Sequence, residues 1–230
     1  MVRSAAIRLL SLAFGVALLS SAAWPAAVCR TTLPLDGRNV RSAESTLGDL
    51  LADAARAGVN ADLALVQASQ LRPDVIPAGD VSEESLRAVL VYPDETVVLA
   101  EITGSQLLRA VERGLSAERT ASGALQPSTA FLQVSNLTVS FDSTRPPGQR
   151  AASVKVGAKL LVAGDTYRVA LPASLAKGAM GYFRIFNGLK VKQTGPALGD
   201  CLISYARASR VLSLSPGQRL VGVSQPAPAH

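Results

Sequence analysis

Hydrophobic spacing changes near Phe131, and that change narrows the folds open to this chain. Upstream, helix-like and strand-like segments alternate. In residues 44–56, Leu47, Leu50, Leu51 and Ala54 have the spacing of one helical face, and Gly58 stops the run. Residues 62–68 form a short apolar run that suits a buried strand. Ser82 can cap a helix reaching about Leu90, with Glu83 and Glu84 in the first turn, where the helix dipole favours acids. Residues 96–102 are β-branched and strand-like. Thr103 and Gln106 then have capping-box spacing for a second helix, with Leu107, Leu108 and Val111 as its buried stripe and Gly114 near its end. Downstream the period is two, in residues 131–135, 137–142, 153–156 and 166–171, with turns at 145–148 and 157–159. A last helix is predicted over 198–210. The expectation is α+β: a single mixed domain.

The 230 residues suit one domain with extensions. Arg3 and Arg8 precede an apolar run at 9–19, and small residues then favour cleavage after Ala23, with Ala26 or Ala27 as alternatives. Residues 1–27 therefore read as a secretory signal and cleavage region, 28–214 as the domain, and 215–230 as a flexible Pro/Gly/Ser/Gln tail. The apolar run falls short of the roughly 20 residues a membrane span needs. The predicted location is exported, periplasmic or extracellular.

Cys29 and Cys201 are the only cysteines, and both lie in the exported part. An even count outside the cytosol predicts a disulfide between them. A lipid anchor on Cys29 is disfavoured, because Val28 stands where a lipoprotein signal has a small residue. Loss of Arg3 and Arg8 lowers the formal charge from +6 to +4, and the basic residues are scattered. No basic run with interleaved aromatics suggests a nucleic-acid surface. The one histidine is His230, so neither Ser–His nor Cys–His nucleophile pairs are expected.

Several motifs occur in a telling order. Glu44-Ser-Thr-Leu-Gly-Asp-Leu-Leu-Ala-Asp-Ala54 resembles the opening E-(S/T)-N-L-G-N-L-x-A-D-A of the C-terminal domain of the 5'-nucleotidase and UDP-sugar hydrolase family. Ile76-Pro-Ala-Gly79 is similar to its I-P-x-G. Glu101-Ile-Thr-Gly104 with Gln106-Leu-Leu108 is similar to E-L-T-G-x-Q-L-L. Phe131-Leu-Gln-Val-Ser135, Phe141-Asp142 and Arg145-Pro-Pro-Gly148 resemble F-x-Q-V-S, Y-D and R-P-P-G. The resemblance implies a domain that holds the nucleoside while a separate metallophosphatase domain, with Asp, His and Asn ligands for two metals, does the chemistry. With one histidine present, it implies this domain standing alone: no metal ligands, no cofactor and no catalytic residue of its own.

The family's pocket loops are altered here. Its N-G-G-G-I-R corresponds to Gln67-Ala-Ser-Gln-Leu-Arg72, which keeps the arginine and loses the glycines. Its P-F-G-N corresponds to Pro93-Asp-Glu-Thr96, with acids in place of the clamp aromatic; Tyr92 is a nearby substitute or an ordinary strand-edge tyrosine. Its N-Y-L-A-N-G-G-D-G-Y corresponds to residues 173–182, where Ser174 replaces the second aromatic and Met180 the ligand-binding Asp.

The resemblance thus leaves Gln67, Arg72, Gly178, Gly181 and Tyr182 as substrate-binding candidates. Arg72 is either an anion contact or a structural arginine. Glu44 and Asp53, with helix first-turn and surface readings, and solvent-facing Glu101 are set aside as catalysts, because no partner group accompanies them. The expected function is the substrate-binding part of a hydrolase in nucleotide catabolism. Its expected partners are a separate metallophosphatase subunit or a small anionic ligand. The alternative is a structural or protein-interaction domain whose pocket is filled by Gln67, Gln70 and Met180.

Overall fold

A computed structural model describes residues 26–215 and 217–223. The signal expectation lies outside the described residues except at Ala26 and Ala27. Two short strands come first, β1 (Ala27–Thr31) and β2 (Leu35–Asp36). Helix α1 (Thr46–Gly58) is started by Ser45, whose Oγ accepts the Gly48 N–H at 3.0 Å. Then come β3 (Leu63–Gln67), β4 (Val75–Ile76) and β5 (Gly79–Ser82), and α2 (Glu83–Ala88) capped by Ser82. β6 (Thr96–Thr103) leads into α3 (Gly104–Gly114), where Thr103 and Gln106 form both halves of a capping box.

The strand-rich half holds β7 (Leu132–Ser135), β8 (Leu137–Phe141), β9 (Ala151–Val156), β10 (Lys159–Leu160) and β11 (Thr166–Pro172). Two one-turn helices follow, α4 (Ala173–Ala176) and α5 (Phe183–Phe186). The chain continues through β12 (Val191–Ala197), α6 (Leu198–Ser209), β13 (Val211–Leu212) and β14 (Leu220–Gly222).

The main sheet has the order β12-β6-β11-β3-β7. β3 is flanked on both sides and buried at every position, which suits its unbroken Leu-Ala-Leu-Val run. It pairs in parallel with β11, through Val169 opposite Leu63, and antiparallel with β7. A second sheet, β10-β9-β8-β14, continues from the β7–β8 corner, and a small sheet β13-β1-β5 lies beside α6.

Helix α1 packs between the main sheet and α6, burying Leu47, Leu50, Leu51 and Ala54. Buried Gln133 on β7 fixes the approach to α1. Its Oε1 accepts the Ser45 N–H at 3.1 Å, and its Nε2 donates to the Val40 and Ala43 carbonyls at 2.8 Å each. A buried amide satisfied on both sides stabilises its loop instead of penalising it.

Three expectations are corrected. Leu108 does not join the buried stripe of α3; it is 40% exposed, while Leu107, Ala110 and Val111 face inward. Cys29 and Cys201 are buried free thiols, not a disulfide. Cys201 Sγ fills the notch at Gly58 of α1, where a Cβ would stand only 2.4 Å from it. Burial also pushes the Cys29 thiol up and the Cys201 thiol up to about 11, suppressing the thiolate that oxidation needs.

The third correction is the tail. Residues 217–223 are built into the fold as a strap. The Glu44 carboxylate accepts the N–H groups of Gly217, Gln218, Arg219 and Leu220 at 2.9, 3.1, 2.7 and 2.7 Å. β14 then adds to β8 in parallel, with Leu220 opposite Val139. Arg219 reaches inward to grip Asp53 with two nitrogens, at 2.9 and 2.8 Å, and donates to the Val134 carbonyl at 2.8 Å. Composition makes this segment look like a tail because its anchors are backbone N–H groups and one arginine.

Arg219→Ala should therefore lower the urea unfolding free energy by about 3–5 kcal/mol, because it leaves Asp53 buried without its counter-charge. Adding Asp53→Asn should recover part of that loss. A change within about 0.5 kcal/mol, typical of surface substitutions, would show the strap to be peripheral.

Candidate functional site

Sheet topology decides which loops meet. Because β3 and β11 run parallel, their carboxyl ends lie at the same edge of the sheet. β6 runs the other way, with Val97 opposite Pro172, so its entry turn reaches that edge too. The three loops singled out by sequence therefore converge.

Ser174 is their meeting point. It follows β11 at the start of α4, and its backbone N–H donates to Glu95 Oε1 of the β6 entry turn at 2.6 Å. Its hydroxyl accepts from Gln67 Nε2 at 3.0 Å and from Gln70 Nε2 at 3.5 Å. Gln67 ends β3, and Gln70 closes the 3-10 turn Ala68–Gln70. Both glutamines are 1% exposed, and both Oε1 atoms are buried without a hydrogen-bond partner. A buried acceptor left unmade costs about 1–3 kcal/mol. The contrast with fully satisfied Gln133 is sharp.

The other matched residues have different surroundings. Arg72 is exposed; its backbone N–H donates to the Val89 carbonyl at 2.9 Å, and among the described residues its guanidinium makes no hydrogen bond. Gly178 ends α4 at φ +91°, and a Cβ there would stand 2.3 Å from Phe183 Cα. Gly181, at φ +84°, admits the Arg113 guanidinium, whose Nη2 would be 2.6 Å from a Cβ. Both positions demand glycine for packing and turn geometry.

Tyr182 is wholly buried. Its hydroxyl donates to the Ala130 carbonyl at 2.7 Å, and its ring stacks on Phe186 with centroids 5.8 Å apart. Burial holds its phenol far above the ordinary tyrosine range. Arg113 lies over the same ring at 5.8 Å and donates to the Met180 carbonyl at 2.7 Å. Met180 is exposed at φ +57°, so only the two glutamines occupy the interior position expected of all three. Tyr92, the nearby substitute for the missing aromatic, is 56% exposed.

Sequence reasoning missed a second polar group. Asp53 is not a surface residue: besides Arg219 it accepts from Ser135 Oγ at 2.5 Å, and Arg56 Nε donates to that same Oγ at 2.8 Å. These residues border a cavity of about 450 Å³ with Asn136, Thr138 and Gln218. One turn earlier on α1, Asp49 is 1% exposed. Burial pushes its carboxyl up to about 8, and nearby Glu44 and Asp53 add to this. Arg219 Nε at 3.4 Å lowers it but does not offset burial, so the net shift favours the protonated carboxyl. Two acids four residues apart on one helix, beside Leu50, were the available signal.

Among the described residues, no group of three or more His, Cys, Asp or Glu is placed to hold a metal ion. These residues do not fit a two-metal centre. Glu101 is exposed and paired with Lys192 at 2.8 Å. No helix among the described residues is long and apolar enough to cross a membrane.

Comparison with known proteins points in one direction. The family model described as 5'-nucleotidase, C-terminal domain matches residues 26–188. The trifunctional nucleotide phosphoesterase protein YfkN of Bacillus subtilis (strain 168) is 31% identical over 163 residues, 66% of this chain and 11% of that protein. An apyrase of Anopheles gambiae is 31% identical over 192 residues, 80% of this chain and 32% of that one. The chain thus spans from a tenth to a third of the length of these curated relatives. In the crystal structure of a 5'-nucleotidase precursor from Thermus thermophilus, a region with 27% identity superposes with a TM-score of 0.75. It covers 87% of this chain and 40% of that one.

Asp49 makes stability depend on pH. Its folded pKa of about 8 lies above the ordinary 3.8, so the native state holds a proton that the unfolded state has released. Its contribution to stability must therefore fall as pH rises from about 4 to about 8, then level off. Asp49→Asn cannot titrate, so urea midpoints across that window should decline less for the variant. Equal slopes for both proteins would refute this assignment.

Proposed function

The chain belongs to the 5'-nucleotidase C-terminal domain family, and we propose that it serves nucleotide breakdown as the exported, substrate-binding and non-catalytic part of a hydrolase. A metallophosphatase domain, on a separate subunit, would supply the metals and the attacking water. Export is supported by Arg3 and Arg8 ahead of the apolar run at 9–19.

The observation that carries this reading is the pair of unpartnered carbonyl oxygens on Gln67 and Gln70 at the convergence of three loops. Both atoms are buried, so donor groups on a nucleobase or sugar would satisfy them, and recover the penalty of leaving them bare, once the converging loops part. Arg72, exposed beyond the same turn, supplies a positive charge for a phosphate. Gly178, Gly181 and Tyr182 act here by holding the third loop in place. Buried Asp53, beside the Ser135 hydroxyl, has both carboxylate oxygens gripped by Arg219, which leaves it a structural group on this reading.

A second reading rests on a specific observation. The side chains of Gln67 and Gln70, which stand where the family's loop has Asn and Gly, are fully buried on Ser174, which stands where it has a clamp aromatic. On this view the pocket is filled, and the domain is a structural or interaction module.

Titration calorimetry with nucleosides, nucleotides and UDP-sugars separates the two. The proposal expects saturable heat that Gln67→Leu with Gln70→Leu abolishes while the melting temperature holds or rises. Absence of heat at about millimolar ligand, an affinity worth only about 4 kcal/mol, would favour the filled-pocket reading. With added manganese or zinc, the chain alone should hydrolyse no nucleotide; turnover above that of Arg72→Ala would overturn the non-catalytic assignment.

A further inference from the structure

Four arginines, scattered in sequence, gather in space beside α3. A cavity of about 770 Å³ is walled by Arg109 and Arg113 of α3, Arg145 of the turn after β8, and Arg184 of α5, over Leu108 and Pro147. It adjoins a second cavity of about 290 Å³, which shares Leu108 and Ala151 and continues along Val154, Leu160 and Leu161. We propose that this groove docks an acidic protein segment carrying apolar side chains.

Charge is the first argument. Among the described residues, Arg109, Arg113 and Arg184 form no ion pair, and Arg145 reaches Asp142 only at 3.6 Å. The one acid lining the larger cavity is Glu112. Its carboxylate is occupied by the backbone N–H groups of Arg150 and Ala151, at 3.0 and 2.7 Å. Four guanidinium groups against one committed carboxylate leave an excess that a chain of acids would neutralise. Arginine suits this role, since its planar fork grips a carboxylate through two nitrogens.

Pre-organisation is the second. Arg113 is held by Ser116 Oγ at 2.7 Å, by the Met180 carbonyl, and by the face of Tyr182. A cation already fixed loses little rotamer freedom when a ligand arrives. The groove is built on α3, whose buried face is locked against β6, so the spacing of Arg109 and Arg113 is rigid.

The apolar extension decides between occupants. A free phosphate or a nucleic-acid backbone would use the arginines and leave Leu108 and Leu160 facing water, at 40% and 64% exposure. An acidic segment with apolar anchors covers both halves. Arginine anchors beside an apolar patch are common in interface cores.

The test is fluorescence anisotropy of a labelled peptide of alternating glutamate and leucine, titrated with the full chain. Saturable binding that weakens with sodium chloride is expected, and Arg109→Glu with Arg184→Glu should weaken it at least about tenfold. Leu108→Ser should weaken that peptide but not one of glutamate and serine. Both variants alter exposed side chains and should melt with the parent. Undiminished binding by the charge-reversed variant, or no binding at all, would overturn the proposal. So would sodium triphosphate or oligothymidylate displacing the peptide at lower concentration than unlabelled peptide does, since that would assign the groove to a small polyanion or a nucleic acid.

Discussion

Parallel pairing of β3 with β11 organises everything else. Two neighbouring strands that run the same way cannot be joined by a tight turn, so about a hundred residues separate them in the chain. That intervening stretch supplies β6, which runs antiparallel to β11, and β7, which covers the far side of β3. The pairing also places the candidate site. It sends the exits of β3 and β11 and the entry of β6 to one sheet edge, where Gln67, Gln70, Ser174 and Glu95 touch.

Much of this was legible in the sequence, for definite reasons. Helices with a cap and an apolar stripe, such as α1, α2 and α3, announce both ends and one face. β3 and β6 are apolar runs bounded by turn residues. β12 carried no such signal: Val191-Lys-Gln-Thr-Gly-Pro-Ala197 is an edge strand that lies mostly in water and not in a core, so no alternation was selected. β14 escaped notice because backbone pairing and one arginine anchor it, and neither leaves a hydrophobic pattern.

The site was legible as loops but not as side-chain directions. Motif matching brought Gln67 and Ser174 to the right edge of the sheet. It could not say that Tyr182 turns inward to Ala130, or that Met180 turns outward. Periodicity measures which positions face a core within a helix or strand, and a loop with three residues at positive φ has no period to measure. Asp53 was misread for a related reason: a carboxylate on a helix next to leucines is usually at the surface, and it is distant Arg219, with Ser135, that makes its burial tolerable. The resemblance in Phe131-Leu-Gln-Val-Ser135 now has a physical basis, since Gln133 ties the loop before α1 and Ser135 joins Asp53 to Arg56.

The strap has a consequence for how such a chain comes into being. Glu44 and Asp53 are translated early, and the groups that satisfy them lie more than 160 residues later. Until Arg219 has emerged, Asp53 has no cation to meet, and the edge of β8 has no partner on that side. Domains generally settle as units during synthesis, but here one fastening of α1 and β8 waits for residues 217–223. Among the described residues the strap is the last stretch to be translated, so the lock on α1 is the contact longest in coming.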